Sequence, residues 1–301
     1  MKVGYYQFNP VFGDVVRNLE TVAKKLSRVR CDLMVLPELF ASGYQFVSKN
    51  EVAALAEPVP GGATTRRLCD VARERSMHIV AGIPERDGSR YYNSAVVVGP
   101  EGVIGCYRKA HLFFEETKFF TPGDSGFQVW DIGAAKIGVM VCFDWFYPEA
   151  ARTLALKGAD IICHPSNLVL PHCPDAMVTR CLENHVFSIT ANRIGSEQRG
   201  GKRKLTYIGT SEVVSPQGKI LHRASEHREK LAIVDIHPKE ARNKSLNPYN
   251  DLLRDRRTAS YRARTVMSPA SVRAVIACGA RSSRMTPSTL TLPAPAVAST
   301  R

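Results

Sequence analysis

The chain of 301 residues is 44% hydrophobic and 23% charged, the balance of a soluble globular protein with room for one large domain or two ordinary ones. No stretch approaches the apolar length that spans a bilayer, and Met1-Lys2 runs straight into strand-like Val3–Phe8 with no signal-peptide pattern, so a cytoplasmic protein is expected. The net charge of +13 raises nucleic-acid binding, but six of those charges are arginines after Thr258 (262, 264, 273, 281, 284 and 301), which leaves +7 elsewhere.

In chain order, strand-like and helix-like segments alternate. Val3–Phe8 reads as a strand, Asp14–Val29 as a helix with Val15, Leu19, Val22, Ala23 and Leu26 at helical spacing, Asp32–Leu36 as a strand and Thr64–Arg75 as a helix. Strands Ile79–Ile83, Ser94–Val98 and Val103–Tyr107 follow, the last two joined by the turn Gly99-Pro-Glu-Gly102. Then come strand Lys136–Val141, helix Pro148–Lys157, strand Asp160–His164, helix Asp175–Asn184 and strand Val186–Ala191. A hairpin of Thr210–Val214 with Lys219–Ala224 and a strand Leu231–Ile236 end the pattern. Hairpins inside a βα alternation favour a mixed α/β sandwich over a purely parallel sheet, and residues 1–257 read as one domain. Residues 258–301 contain no Lys, Asp or Glu and are rich in Ser, Thr, Ala, Pro and Arg, the composition of a mostly disordered tail.

Eight cysteines are scattered through the chain, and free thiols are expected. Cys163-His164 and the set His172, Cys173, Cys181 and His185 match no zinc spacing, so neither a metal nor another cofactor is expected. The densest basic run, Arg199-Gly-Gly-Lys-Arg-Lys204, has no interleaved aromatics and reads as a solvated loop, which argues against nucleic acid as a partner. Gly123-Asp-Ser-Gly126 has the look of a serine-protease nucleophile segment, but it follows Thr121-Pro122 in an α/β chain and reads as a turn.

Three apolar strands end on chemistry-bearing residues. Lys136–Val141 delivers Cys142 into a turn ahead of Pro148, where backbone N–H groups favour a thiolate. Leu33–Leu36 is followed by Pro37-Glu38, a carboxylate beside apolar residues whose pKa burial would raise into the range of a general base. Val103–Tyr107 is followed by Arg108-Lys109, a cation for a developing oxyanion. Singly, each reads more readily as a structural thiol, a surface charge or a helix cap. Together, they equip a site for attack on a carbon–nitrogen bond: thiol nucleophile, base and oxyanion stabiliser.

Leu36-Pro-Glu-Leu-Phe40, Tyr107-Arg-Lys-Ala-His-Leu-Phe113 and Val141-Cys-Phe-Asp-Trp-Phe-Tyr-Pro-Glu149, in this order, resemble the nitrilase superfamily of carbon–nitrogen hydrolases over residues 1–257. The resemblance implies a four-layer α-β-β-α sandwich whose protomers pair into an eight-layered homodimer. It puts Glu38, Lys109 and Cys142 on the catalytic triad, and Glu116, rather than its neighbour Glu115, on a second glutamate that positions substrate and catalytic groups. It implies that the backbone N–H of Phe143 joins Lys109 at the oxyanion, and that Tyr44, Phe113, Phe146 and Asn167 line the substrate cavity. The implied partner is a small-molecule amide or nitrile. Many aromatics and no evident pocket arginine favour a small, uncharged or weakly polar substrate. Cys142-Phe-Asp-Trp145 puts a carboxamide, hydrolysed to acid and ammonia through a thioester, ahead of an aliphatic nitrile, with N-carbamoyl compounds third. A catalytically silent binding protein of the same fold is the reading from a different class.

Overall fold

The computed structural model describes residues 1–261. Asp14 caps the first helix, accepting a hydrogen bond from the Arg17 N–H, and Leu19, Val22, Ala23 and Leu26 bury one face of it, α1 (Val15–Leu26). Helix α3 (Ala63–Arg75) has Gly62 at its N-cap and buries Leu68, Val71 and Ala72 on one face, and both helices lie on a sheet whose strands alternate strictly. Val3 and Tyr5 in β1 (Lys2–Gln7), Leu33 and Val35 in β2 (Leu33–Val35), Val80 in β3 (His78–Asp87), and Ala95 and Val97 in β4 (Arg90–Gly99) face one core. Tyr6, Met34, Ile79, Ala81, Val96 and Val98 face the other core, beneath α1 and α3. Both faces are therefore buried, and the strands read as continuous apolar runs.

The first sheet runs β14-β1-β2-β3-β4-β5, with β5 at Gly102–Arg108 and β14 at Lys230–Asp235. Its centre β1-β2-β3 is parallel, with Tyr5 opposite Val35 and Val35 opposite Val80; β14, β4 and β5 pair antiparallel. The second sheet runs β13-β12-β9-β8-β7-β6 and repeats this plan: β7 (Lys136–Val139), β8 (Ile161–Pro165) and β9 (Phe187–Ala191) are parallel. Here β6 (Val129–Asp131), β12 (Glu212–Val214) and β13 (Ile220–Arg223) are antiparallel. The first core packs the inner faces of the two sheets together, and α5 (Pro148–Leu156) and α6 (Cys173–Asn184) cover the second sheet, giving the four-layer α-β-β-α sandwich.

Sequence reading anticipated this architecture but not every element. Two short helices were not anticipated, α2 (Lys49–Leu55) and α4 (Glu116–Phe119), nor was the ribbon of β10 (Ser196–Glu197) with β11 (Leu205–Thr206). Strands β3 and β4 also run on as a hairpin to Asp87 and Arg90. Residues Met1–Arg254 form one compact unit and a second begins at Asp255; the expected tail lies, from Arg262 onward, outside the described residues. Among the described residues no helix is long and apolar enough to cross a membrane.

Candidate active site

Glu38, Lys109, Cys142 and Asn167 follow β2, β5, β7 and β8, so two sheets contribute to one site from the carboxyl ends of their strands. Glu38 is completely buried. Its turn fits only because β3 carries a glycine there: a Cβ on Gly82 would lie 2.4 Å from the Glu38 Cα. Glu38 Oε1 accepts from Lys109 Nζ at 2.7 Å and Asn93 Nδ2 at 2.7 Å, and Asn167 Nδ2 donates to the Glu38 carbonyl at 2.9 Å. Glu38 Oε2 is buried and has no hydrogen-bond partner among the described residues. Burial lifts the Glu38 carboxyl to about 7, against the pull of Lys109.

Lys109 Nζ also donates to Glu116 Oε1 at 2.8 Å, and Glu116 in turn accepts from the Tyr44 hydroxyl at 2.6 Å and the Phe113 N–H at 3.2 Å. Glu116, not Glu115, is thus the carboxylate brought to Lys109; Glu115 pairs outward with Lys118 and Lys202, both at 2.7 Å. Burial pulls the Lys109 ammonium down, but Glu116 and Glu38 outweigh it and hold it above its ordinary value.

Cys142 opens a 3-10 turn, Cys142–Phe146, with φ at 42°, the left-handed region that costs a side-chain-bearing residue energy. Two buried groups hold this elbow. Asp144 accepts from the Val141 N–H at 2.9 Å, the Tyr107 hydroxyl at 2.8 Å and the His111 N–H at 3.1 Å, tying the turn to the segment after Lys109. His164, kept neutral by burial with its pKa down at about 4, donates from Nε2 to the Cys142 carbonyl at 2.9 Å. The strand-end thiolate expected from sequence is not the resting state. Burial first, and the negative charge of Glu38 second, push the thiol well above its ordinary pKa, and Lys109 and the Asn167 N–H offset only part of this. The thiol rests protonated and needs a base.

Against the thiol lies a slot of about 20 Å³ lined by Phe113, Phe143, Trp145, Asn167, Leu168 and the following Val169-Leu170. Of the residues expected to line the cavity, Phe113, Phe143 and Asn167 do so. Tyr44 instead lines a second pocket, with Glu116, and holds that carboxylate. Phe146 lies outside the slot, half exposed, with its ring 5.5 Å from that of Phe143.

The matching family pattern, carbon–nitrogen hydrolase, spans residues 2–244. The chain belongs to the carbon–nitrogen hydrolase family. It is 50% identical to a nitrilase of Pyrococcus abyssi over 87% of this chain and 99% of that protein. It is 32% identical to an (R)-stereoselective amidase of a Pseudomonas species over 85% of this chain and 92% of the relative. Its fold matches the crystal structure of a carbon–nitrogen hydrolase from Helicobacter pylori with a TM-score of 0.79 at 29% identity, over 87% of this chain and 96% of that one.

The sequence left several neighbours of this hydrolase site unnamed. Asn93 on β4 shares Glu38 Oε1 with Lys109. A completely buried Arg193 bonds Glu197 and Asn9 Oδ1 (2.9 Å), and the Glu197 carboxylate accepts the N–H of Gln45 at 2.6 Å and of Tyr44 at 3.2 Å. This pair fixes the backbone that presents the Tyr44 hydroxyl to Glu116. Its signal in the sequence is weak, because a polar residue after a strand says nothing of a partner 153 positions away. Among the described residues no group of three or more His, Cys, Asp or Glu converges as metal ligands.

Proposed function

We propose that the enzyme hydrolyses a small aliphatic nitrile to the carboxylic acid and ammonia, with Cys142 as the nucleophile. The observation that carries the chemistry is the buried quartet: a protonated thiol, a carboxylate with one oxygen free of partners and a pKa near 7, and an ammonium fixed between two carboxylates. Glu38 removes the Cys142 proton as sulfur adds to the cyano carbon and passes it to the nitrogen, which gives a thioimidate and restores the carboxylate, while the Lys109 ammonium stabilises the charge developing on that nitrogen. Glu38 then activates water against that carbon. Ammonia leaves from the tetrahedral adduct, whose charge Lys109 and the Phe143 N–H stabilise. A second water, activated by the same carboxylate, hydrolyses the thioester and restores the thiol.

Nitrile moves ahead of carboxamide on the strength of the 50% identical nitrilase, which is matched over 99% of its length. The narrow, largely apolar slot also suits a slender cyano group with one acceptor atom. Carboxamide is the second reading, favoured by the (R)-stereoselective amidase; an amide enters the same route at the tetrahedral adduct. We take the working form to be a homodimer in the cytoplasm, a reading supported by the motifs that resemble the superfamily.

The test offers the purified protein matched nitriles, carboxamides and N-carbamoyl compounds, following ammonia release. Turnover of nitriles above their amides is expected, and amide turnover with no nitrile turnover would reverse the assignment. Intact-protein mass spectrometry of Glu38→Gln with substrate should show the adduct on Cys142; an adduct on another cysteine overturns the mechanism.

A further inference from the structure

The basic run Arg199-Gly-Gly-Lys-Arg-Lys204 is the loop at the tip of the β10–β11 ribbon; Gly200, Gly201, Arg203 and Lys204 are exposed, but Arg199 and Lys202 are tied down. The Arg199 N–H donates to Gln45 Oε1 at 2.7 Å, and Gln45 Nε2 donates to the Arg203 carbonyl at 2.8 Å. The Arg199 guanidinium makes two bonds to Glu51, at 3.0 and 2.8 Å, and sits 3.5 Å over the Phe12 ring. Lys202 Nζ donates to the Phe46 carbonyl at 2.8 Å and to Glu115 at 2.7 Å. Gly200 and Gly201, with φ of 56° and 69°, make the turn that lets both ends of the run be tied down.

This fixed tip forms one wall of a cavity of about 520 Å³ that shares Phe113, Val169 and Leu170 with the slot at Cys142. The shared part is apolar and the far wall is cationic, with Lys202 and Arg203. Among the described residues Glu115 is the only carboxylate lining this cavity, and it already serves both Lys118 and Lys202. Two lining cations, Lys202 and Arg203, against that one carboxylate leave an excess of one positive charge. Arg203 is exposed, and among the described residues its guanidinium has no hydrogen bond or ion pair.

We propose that Arg203 is the anion-binding group at the outer end of the substrate channel, and that the substrate is a short aliphatic nitrile or amide with a carboxylate at its far end. The proposal rests on the reading of the Cys142 slot as the place of carbon–nitrogen hydrolysis. A guanidinium takes a carboxylate through two parallel N–H···O bonds, and the apolar stretch between Arg203 and the thiol suits the methylenes that join the two ends. An exposed cation is screened by solvent, so it contributes selectivity rather than tight binding.

The test measures kcat/KM for a series of ω-cyano carboxylic acids against unsubstituted alkyl nitriles of equal length, with the corresponding ω-amido acids and alkyl amides run in parallel. Wild type is expected to prefer the acids about tenfold. Arg203→Gln should remove most of that ratio, chiefly through KM, and added salt should erode it in wild type. Lys204→Gln, which changes an exposed neighbour outside the cavity lining, should keep the ratio. A wild-type ratio of one or below overturns the proposal, as does an equal loss of ratio in both variants. If only amides are turned over, the nitrile assignment fails while the acid-to-neutral ratio among amides still decides this one.

Discussion

Glu38 carries two opposing influences: burial drives its carboxyl toward the neutral form, and Lys109 at 2.7 Å draws it back, leaving it near 7. Only the ionised form can take the thiol proton. The ionised fraction falls as pH falls, so kcat/KM should drop about tenfold per unit below about pH 7, and Glu38→Gln should abolish that acid limb while lowering kcat by about 10²–10⁴. A limb that survives the substitution would assign the base elsewhere. Tyr44 offers a second residue-scale prediction. Its hydroxyl bonds Glu116 at 2.6 Å, an interaction with a charged acceptor worth about 1.5–3 kcal/mol, so Tyr44→Phe should lower kcat by roughly ten- to a hundredfold. Glu197→Gln loosens the backbone that aims this hydroxyl, so it should lower kcat comparably, and the double variant should be no worse than the poorer single one. Additive losses would mean that Glu197 acts by some route other than Tyr44. Thermal melts separate this from the stability cost of leaving buried Arg193 unpaired.

At the scale of elements, the triad was legible because each of its members stands where an apolar strand stops, and that pattern survives in one dimension. Glu38 follows Leu33–Leu36, Lys109 follows Val103–Arg108, and Cys142 follows Lys136–Val141. Asn93, Arg193 and Glu197 were not legible, because their partners lie far away in the chain. Asn93 reaches Glu38 across 55 positions, and Glu197 reaches Tyr44 across 153. The anchoring of the exposed basic loop was hidden for the same reason: composition shows its charge but not Gln45, Glu51 and Phe46, which hold Arg199 and Lys202. The thiol's resting state was also beyond sequence, since it depends on how deeply β7 and the Glu38 turn bury it. Gly82, a glycine inside an apolar strand, marks a close backbone approach that sequence does show. Gly82→Ala places a Cβ 2.4 Å from the Glu38 Cα and 2.7 Å from the Leu39 nitrogen, both backbone atoms that cannot swing away. The substitution should cost about 1–3 kcal/mol in urea denaturation and lower kcat more than it changes KM. Unchanged kcat would show that the Glu38 turn can yield without disturbing its carboxylate.

For the whole molecule, the duplicated sheet plan explains how one site draws on both halves of the chain. Both sheets have a parallel centre, so their strand ends at one edge of the sandwich bring a carboxylate and an ammonium from the first sheet to a thiol from the second. Every side chain in that arrangement lies within Met1–Arg254, the first compact unit. The six arginines after Thr258 add almost half of the net charge of +13 but no Lys, Asp or Glu, and so no further acid, base or ammonium of the kind this chemistry uses. A chain ending at Arg257 should therefore keep kcat/KM within about twofold of the full chain on the same substrate, because the quartet and the slot beside it stay intact. Light scattering on both chains then separates assembly from catalysis, with a dimer expected in each. A dimer kept together with a tenfold loss of kcat/KM would show that the last segment reaches the channel itself. A shift to monomer with the same loss would show instead that the segment holds two copies together and that the site needs the pair.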